Sequence, residues 1–212
     1  MARRRPARPG RRRLTTVEAA SPDRLPVDRA AISDDLEAAR VRLHALLGEA
    51  DAADLRRRTN GTAWTNEQLL FHMVFGFLVV RVLVHLVRVV GRLPAPVGRG
   101  WAGLLDSARR PFHAVNYWGA RGGARVFNHD RMGRVCDRTV AALQRSLARE
   151  REANLHRGMA YPTSWDPYFQ AYMTLADIYR YPILHFEHHG AQLTLQAPRA
   201  PRAPRAPGGS RT

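Results

Sequence analysis

The sequence predicts an all-α protein, an antiparallel four-helix bundle with a long crossover between its second and third helices. Three observations carry this. Four long stretches repeat apolar residues at helical spacing. No stretch alternates convincingly as a strand would. A connection of some 36 residues, Arg92 to Phe127, is far longer than a plain up-and-down order needs.

The first helix is expected over Ser33 to Ala50. Ser33 and Asp34 are N-cap types, and Asp35 and Glu37 put negative charge in the first turn, where the helix dipole favours it. Leu36, Ala39, Val41, Leu43, Leu46 and Leu47 form its apolar stripe. A loop marked by Asn60-Gly61 follows. The second helix starts at Thr65, where Gln68 three residues later completes a capping box, and runs to Gly91 before Pro94 and Pro96. Within it, Leu69 to Val90 is long enough to span a bilayer, but His72, Arg81, His85 and Arg88 interrupt it. Each charge at the bilayer centre costs about 2.5–3.5 kcal/mol, so a bundle helix with a polar stripe is the better reading, with no membrane span. The stripe of Arg81, His85 and Arg88 neither demands nor excludes a homodimer.

From Trp101 to Arg125 the pattern is mixed: a short helix stopped by Pro111, then a Gly-rich loop, "YWGARGGAR". That loop matches neither the phosphate-loop nor the dinucleotide fingerprint. The third helix is expected from Asn128 to Leu155, with Met132, Val135, Cys136, Val140, Leu143 and Leu147 on its apolar face and Gly158 as its stop. The fourth runs from Tyr168 to Gln196, with a kink or restart at Pro182.

The ends differ from the middle. Residues 1–30 begin with seven arginines in thirteen positions, and residues 198–212 repeat Ala-Pro-Arg, so both are read as disordered tails around a bundle at 31–197. The 212-residue chain has a net charge of +16, but from Leu14 to Ala197 there are only 23 arginines against 18 acids. The high pI therefore describes the tails, which would touch nucleic acid electrostatically and without sequence reading. Aromatic and basic residues do not interleave as a base-stacking surface requires, so no specific nucleic-acid partner is expected. A single cysteine, Cys136, excludes internal disulfides and cysteine zinc clusters and reads as a buried structural thiol. With no secretory signal, the chain suits a reducing cytoplasm.

The chemistry concentrates in "ILHFEHHGAQL", Ile183 to Leu193, which holds three histidines in five positions. They are either metal ligands or polar residues on a solvated face. His185 and His189 are four apart and share a helix face, while His188 points about 100° from His189. A metal site needs a third ligand. His72 is the best candidate, because an apolar helix flanks it and a buried histidine costs desolvation unless something satisfies it. Three neutral imidazoles hold a divalent transition metal with positions left open. His129 is a candidate for a pocket mouth, and Arg121, Arg125 or Arg180 for holding an anionic substrate.

Two motifs then resemble a known family. "GTAWTNEQLLFHM" is similar to a Trp-Ser/Thr-x-x-Glu/Gln-x-x-x-His signature at the start of helix two. "HFEHHGAQL" is similar to a His-x-x-His-His-x-Gly-Gln-Leu signature on the last helix. Both belong to the DinB-like metal-binding four-helix bundles, and "YPTSWDPYF" with Trp165 also fits; the resemblance covers Ser33 to Gln196. It implies His72, His185 and His189 as metal ligands, His188 as the frequent extra histidine beside the site, and zinc, nickel or a similar ion as cofactor. It also implies, as in some members, a low-molecular-weight thiol such as mycothiol and a transferase or isomerase activity on an electrophile, as in the mycothiol-dependent maleylpyruvate isomerases. Other outcomes are a non-catalytic metal- or ligand-binding bundle, or a nucleic-acid-associated protein acting through its tails. The sequence departs from the signature at Ala191, where the family has glycine.

Overall fold

The computed structural model describes residues 25–93 and 109–195, with Gly100, Gly103, Asp106 and Ser107 between them; the expected tails lie outside these residues, apart from 25–30. The elements in chain order are α1 (Arg29–Glu49), α2 (Ala52–Arg56), α3 (Asn66–Val90), α4 (Arg109–Val126), α5 (His129–Ala148), α6 (Glu152–Leu155), β1 (Gly158–Ala160), β2 (Tyr172–Thr174) and α7 (Leu175–Gly190). The all-α class holds.

Four helices close a ring: α1 packs on α5, α5 on α3, α3 on α7 and α7 on α1. Their directions follow from cross-links along each seam. Arg29 meets Glu152, Ser33 meets Gln144 and Arg40 meets Asp137, so α1 and α5 run antiparallel. Asn66 meets Thr194 and His72 meets His185, so α3 and α7 also run antiparallel. Phe71 stacks on Phe127 beside the start of α5, while Arg88 meets Ser146 and Glu150 at its end, so α3 and α5 are parallel. The order is up-down-down-up, and two parallel neighbours require the long crossover. The core runs through the ring, with Leu36, Leu43, Leu70, Phe77, Met132, Leu143, Tyr179 and Phe186 at 1 % exposure or less.

Several elements differ from their sequence reading. α1 starts at Arg29, because Asp28 and not Ser33 caps it: its carboxylate accepts from the Ala31 N–H. The folded part reaches back to Val27, whose N–H donates to Glu152. The Thr65–Gln68 capping box of α3 is present as expected. The third helix breaks at Ala148, and Glu152–Leu155 is a separate turn of helix. The fourth starts at Leu175, where Thr174 and Asp177 form a second capping box; residues ahead of it pair as a short antiparallel hairpin, β1 with β2, where no strand was expected.

The largest correction is α4. The Gly-rich "YWGARGGAR" is helical, and Pro111 lies within helical residues rather than stopping a helix. The glycines serve packing. A Cβ on Gly123 would lie 2.0 Å from the Phe71 ring, and one on Gly119 would touch Phe75. With Ala120 and Ala124 buried, this face of α4 lies close against α3.

The long apolar α3 has the length and composition to cross a membrane, but half of that window is buried. Its apolarity serves the bundle, with α4, α5 and α7 packed around it. Of the expected polar stripe, Arg81 and His85 are exposed, but Arg88 turns inward to Glu150, which is buried. Cys136 is fully buried, and burial pushes its thiol up to about 12, so it is a structural residue.

Candidate metal centre

His72 lies two turns into α3; His185 and His189 lie one turn apart near the end of α7. The antiparallel α3–α7 seam brings them together. The His72 Nε2 is 3.1 Å from the His185 Nε2 and 3.2 Å from the His189 Nε2. His72 and His185 are buried and His189 half-buried. The three could hold a metal ion.

A glycine makes room for this approach. A Cβ on Gly76 would stand 2.7 Å from the His185 Nδ1, so any larger residue one turn after His72 would displace the ring. Trp64, just ahead of the α3 cap, tilts over His72 with ring centroids 4.6 Å apart. At the other end, the His189 Nδ1 lies 2.7 Å from the Gln192 Oε1. A carbonyl oxygen only accepts, so the His189 proton is on Nδ1 and its Nε2 lone pair is turned inward.

This arrangement tests the fit of a cation. The His72 Nε2 faces two other ring nitrogens and carries at most one proton. With the His189 Nε2 bare, three neutral rings cannot turn both contacts into ordinary N–H···N bonds: a His72 proton would have to be shared between them, and otherwise two lone pairs or two N–H groups face each other. A divalent ion between the rings accepts all three lone pairs. Ligand nitrogens about 2.0–2.1 Å from a tetrahedral metal stand about 3.3 Å apart, close to the two spacings from His72, and the three ligand atoms all lie within 4.8 Å of one another. Burial holds the rings neutral, as ligation requires. It pushes His72 down to about 3, with the nearby His189 adding to the shift. His185 is pushed well below its ordinary value by burial and then by the neighbouring histidines; His189 is lowered mainly by burial.

His188 is beside the cluster rather than in it: its Nδ1 is 3.1 Å from the Tyr168 hydroxyl, and its ring stands edge-on to His189. Glu187 points outward to Arg42. Next to the cluster is a small, open-sided pocket bounded by His72 and His185. Phe75, Val79 and Phe169 give it apolar walls; Asn116, Asp166 and Tyr181 are its other polar groups.

The remaining sequence candidates do not line this pocket. Arg180 and Arg125 are exposed. Arg121 donates to the Tyr117 hydroxyl and lies against the Trp118 ring. It reaches the cluster only through aromatic layers, since Tyr117 stacks on Trp64 and Trp64 on His72. His129 pairs with Asp130 at the start of α5, and Trp165 packs against the core beside Asp166. Sequence reasoning missed Gly76, Asn116, Asp166 and Tyr181, and it gave no role to Trp64 and Gln192, which stand in the two signatures. Two had a readable signal: Gly76 is four residues after His72 in an apolar helix, and Gln192 is three after His189. Ala191 has an ordinary right-handed backbone, so glycine is not required there.

Fold and site together define a class: a four-helix bundle whose second and last long helices clasp three histidines around a candidate metal centre. The DinB superfamily model matches residues 35–193, and the chain belongs to that family. No match was found among curated proteins or solved structures.

Proposed function

We propose that this protein binds a divalent transition metal, of zinc or nickel type, through His72, His185 and His189. We propose further that it acts with a low-molecular-weight thiol of the mycothiol type as an S-transferase or isomerase. The observation that carries the metal reading is the convergence of three Nε2 atoms whose contacts the rings alone leave unsatisfied. The thiol reading rests on the family relationship. A metal of this kind lowers the pKa of a bound thiol or water and so supplies a nucleophile at neutral pH.

The chain's own residues have distinct parts. Gln192 holds the proton at the His189 Nδ1. Trp64 covers His72 and keeps bulk water from that face. Phe75, Val79 and Phe169 shape the space for a small partner molecule. No cysteine, serine or lysine lines the pocket among the described residues. That lining suits a nucleophile supplied by a bound thiol, and it also suits the second reading, a non-catalytic bundle that sequesters a metal or ligand. In either reading the protein works in a reducing cytoplasm, with no specific nucleic-acid partner.

Metal analysis of the purified protein, beside His72→Ala and His189→Ala, tests the first step. Bound metal near one equivalent that disappears in both variants is expected; metal retained in both would end this reading. A panel of thiols with a chromogenic electrophile then separates enzyme from binder: metal-dependent turnover supports the former, and its absence across the panel the latter.

A further inference from the structure

The pocket beside the histidines has one charged wall. Asp166 is the only acid lining it, and no arginine lines it among the described residues. The carboxylate is held at both oxygens: Oδ1 accepts from the Tyr168 backbone N–H at 2.9 Å, and Oδ2 accepts from the Tyr181 hydroxyl at 3.0 Å. Each oxygen keeps a lone pair, so the group is fixed in orientation yet still able to accept. Around it stand Phe169 and Tyr181, with ring centroids 4.8 Å apart, and the apolar side chains of Phe75 and Val79. A fixed carboxylate among aromatic rings attracts a cation twice, by charge and through the ring quadrupoles. The same wall repels an anion. The arginines that the sequence offered for a substrate carboxylate lie elsewhere.

We propose that this pocket takes a small ligand with a cationic amino head and an apolar body, the head on Asp166 and the body against Phe75, Val79 and Phe169, and that it discriminates against free carboxylates. As the place of a second substrate beside the metal, the pocket rests on the metal reading above; its charge preference does not, because Asp166 sets it.

The test uses the full chain stripped of metal with a chelator, so that an amine cannot bind as a metal ligand. Benzylamine and benzoate, similar in size and opposite in charge, are titrated by calorimetry or ligand-observed NMR. Benzylamine binding about tenfold tighter or more is expected, the scale of one charge-assisted hydrogen bond. Asp166→Asn is expected to remove most of that difference. Benzoate binding as tightly as benzylamine, or a preference unchanged in a folded Asp166→Asn, would overturn the proposal. If the variant does not fold, the amine-to-acid ratio of the unaltered protein decides. Metal content, measured separately, keeps the two readings apart: amine preference without metal binding sinks the metal reading alone, and metal binding without amine preference sinks the pocket assignment alone.

Discussion

At the scale of single residues, the site depends on one absent side chain and one amide. Gly76→Ala adds a methyl group 2.7 Å from the His185 Nδ1. Alanine favours the helix by about 1 kcal/mol over glycine, but crowding at a packed site costs about 1–3 kcal/mol. Little change in melting temperature, with loss of most metal binding, is therefore expected from thermal unfolding and metal analysis side by side. Gln192→Leu removes the acceptor that fixes the His189 tautomer. Partners of this kind are typically worth about 10–100-fold in metal affinity, so a competition titration with a chelator is expected to show a loss in that range while the fold survives. The three clustered histidines were legible because i,i+4 spacing and an apolar setting for His72 are properties of short stretches. Asp166 was not, because its importance comes from a loop that reaches a pocket between α3 and α7, and nothing local to "SWDPY" announces that.

At the scale of elements, capping chemistry was legible where it is local. Thr65 with Gln68 is readable in sequence; Thr174 with Asp177 is hidden, because the expected helix already spans them from Tyr168. Thr174→Ala is expected to cost about 1 kcal/mol, seen as a lower denaturation midpoint. The region of α4 was misread for a physical reason. Three glycines and a proline in fifteen residues signal a loop by propensity, yet tertiary contact overrides propensity when small residues let one helix lie close on another. Gly123→Ala tests this. Its Cβ would overlap the Phe71 ring, which itself stacks on Phe127. The helix gains propensity while its contact with α3 is forced apart, and a net destabilisation of about 1–2 kcal/mol is expected by chemical denaturation.

At the scale of the whole molecule, the all-α class and the crossover were legible from helix number and connection length, whereas the ring order needed the cross-links themselves. One of these, Arg88 with Glu150, ties α3 to the end of α5; the Glu150 carboxylate also accepts from Asn154, while its backbone carbonyl accepts from Arg29. Breaking a buried pair by removing one partner costs about 3–5 kcal/mol, so Glu150→Ala is expected to lower stability by that order, read from urea unfolding. The buried histidines add a pH dependence. His72 titrates near 3 in the folded protein against 6.5 when exposed. Only the unfolded chain takes up its proton between those values, so the metal-free protein is fully stabilised above pH 6.5. It should lose about 1.4 kcal/mol per pH unit for this group as pH falls toward 3. Unfolding at a series of pH values, with chelator present, checks the direction; stability that rises on acidification through this window would contradict it.

The α3–α7 seam also bears on the order in which the protein is made. His72 leaves the ribosome more than a hundred residues before His185 and His189. Until α7 emerges, the first histidine has neither partner, and the inner face of α3 has no cover on that side. A ribosome-stalled or truncated chain ending before Leu175 would therefore keep three of the ring's helices but lack the seam that buries His72. The site is completed only once α7 has been made, and ion uptake would report that synthesis has passed that helix.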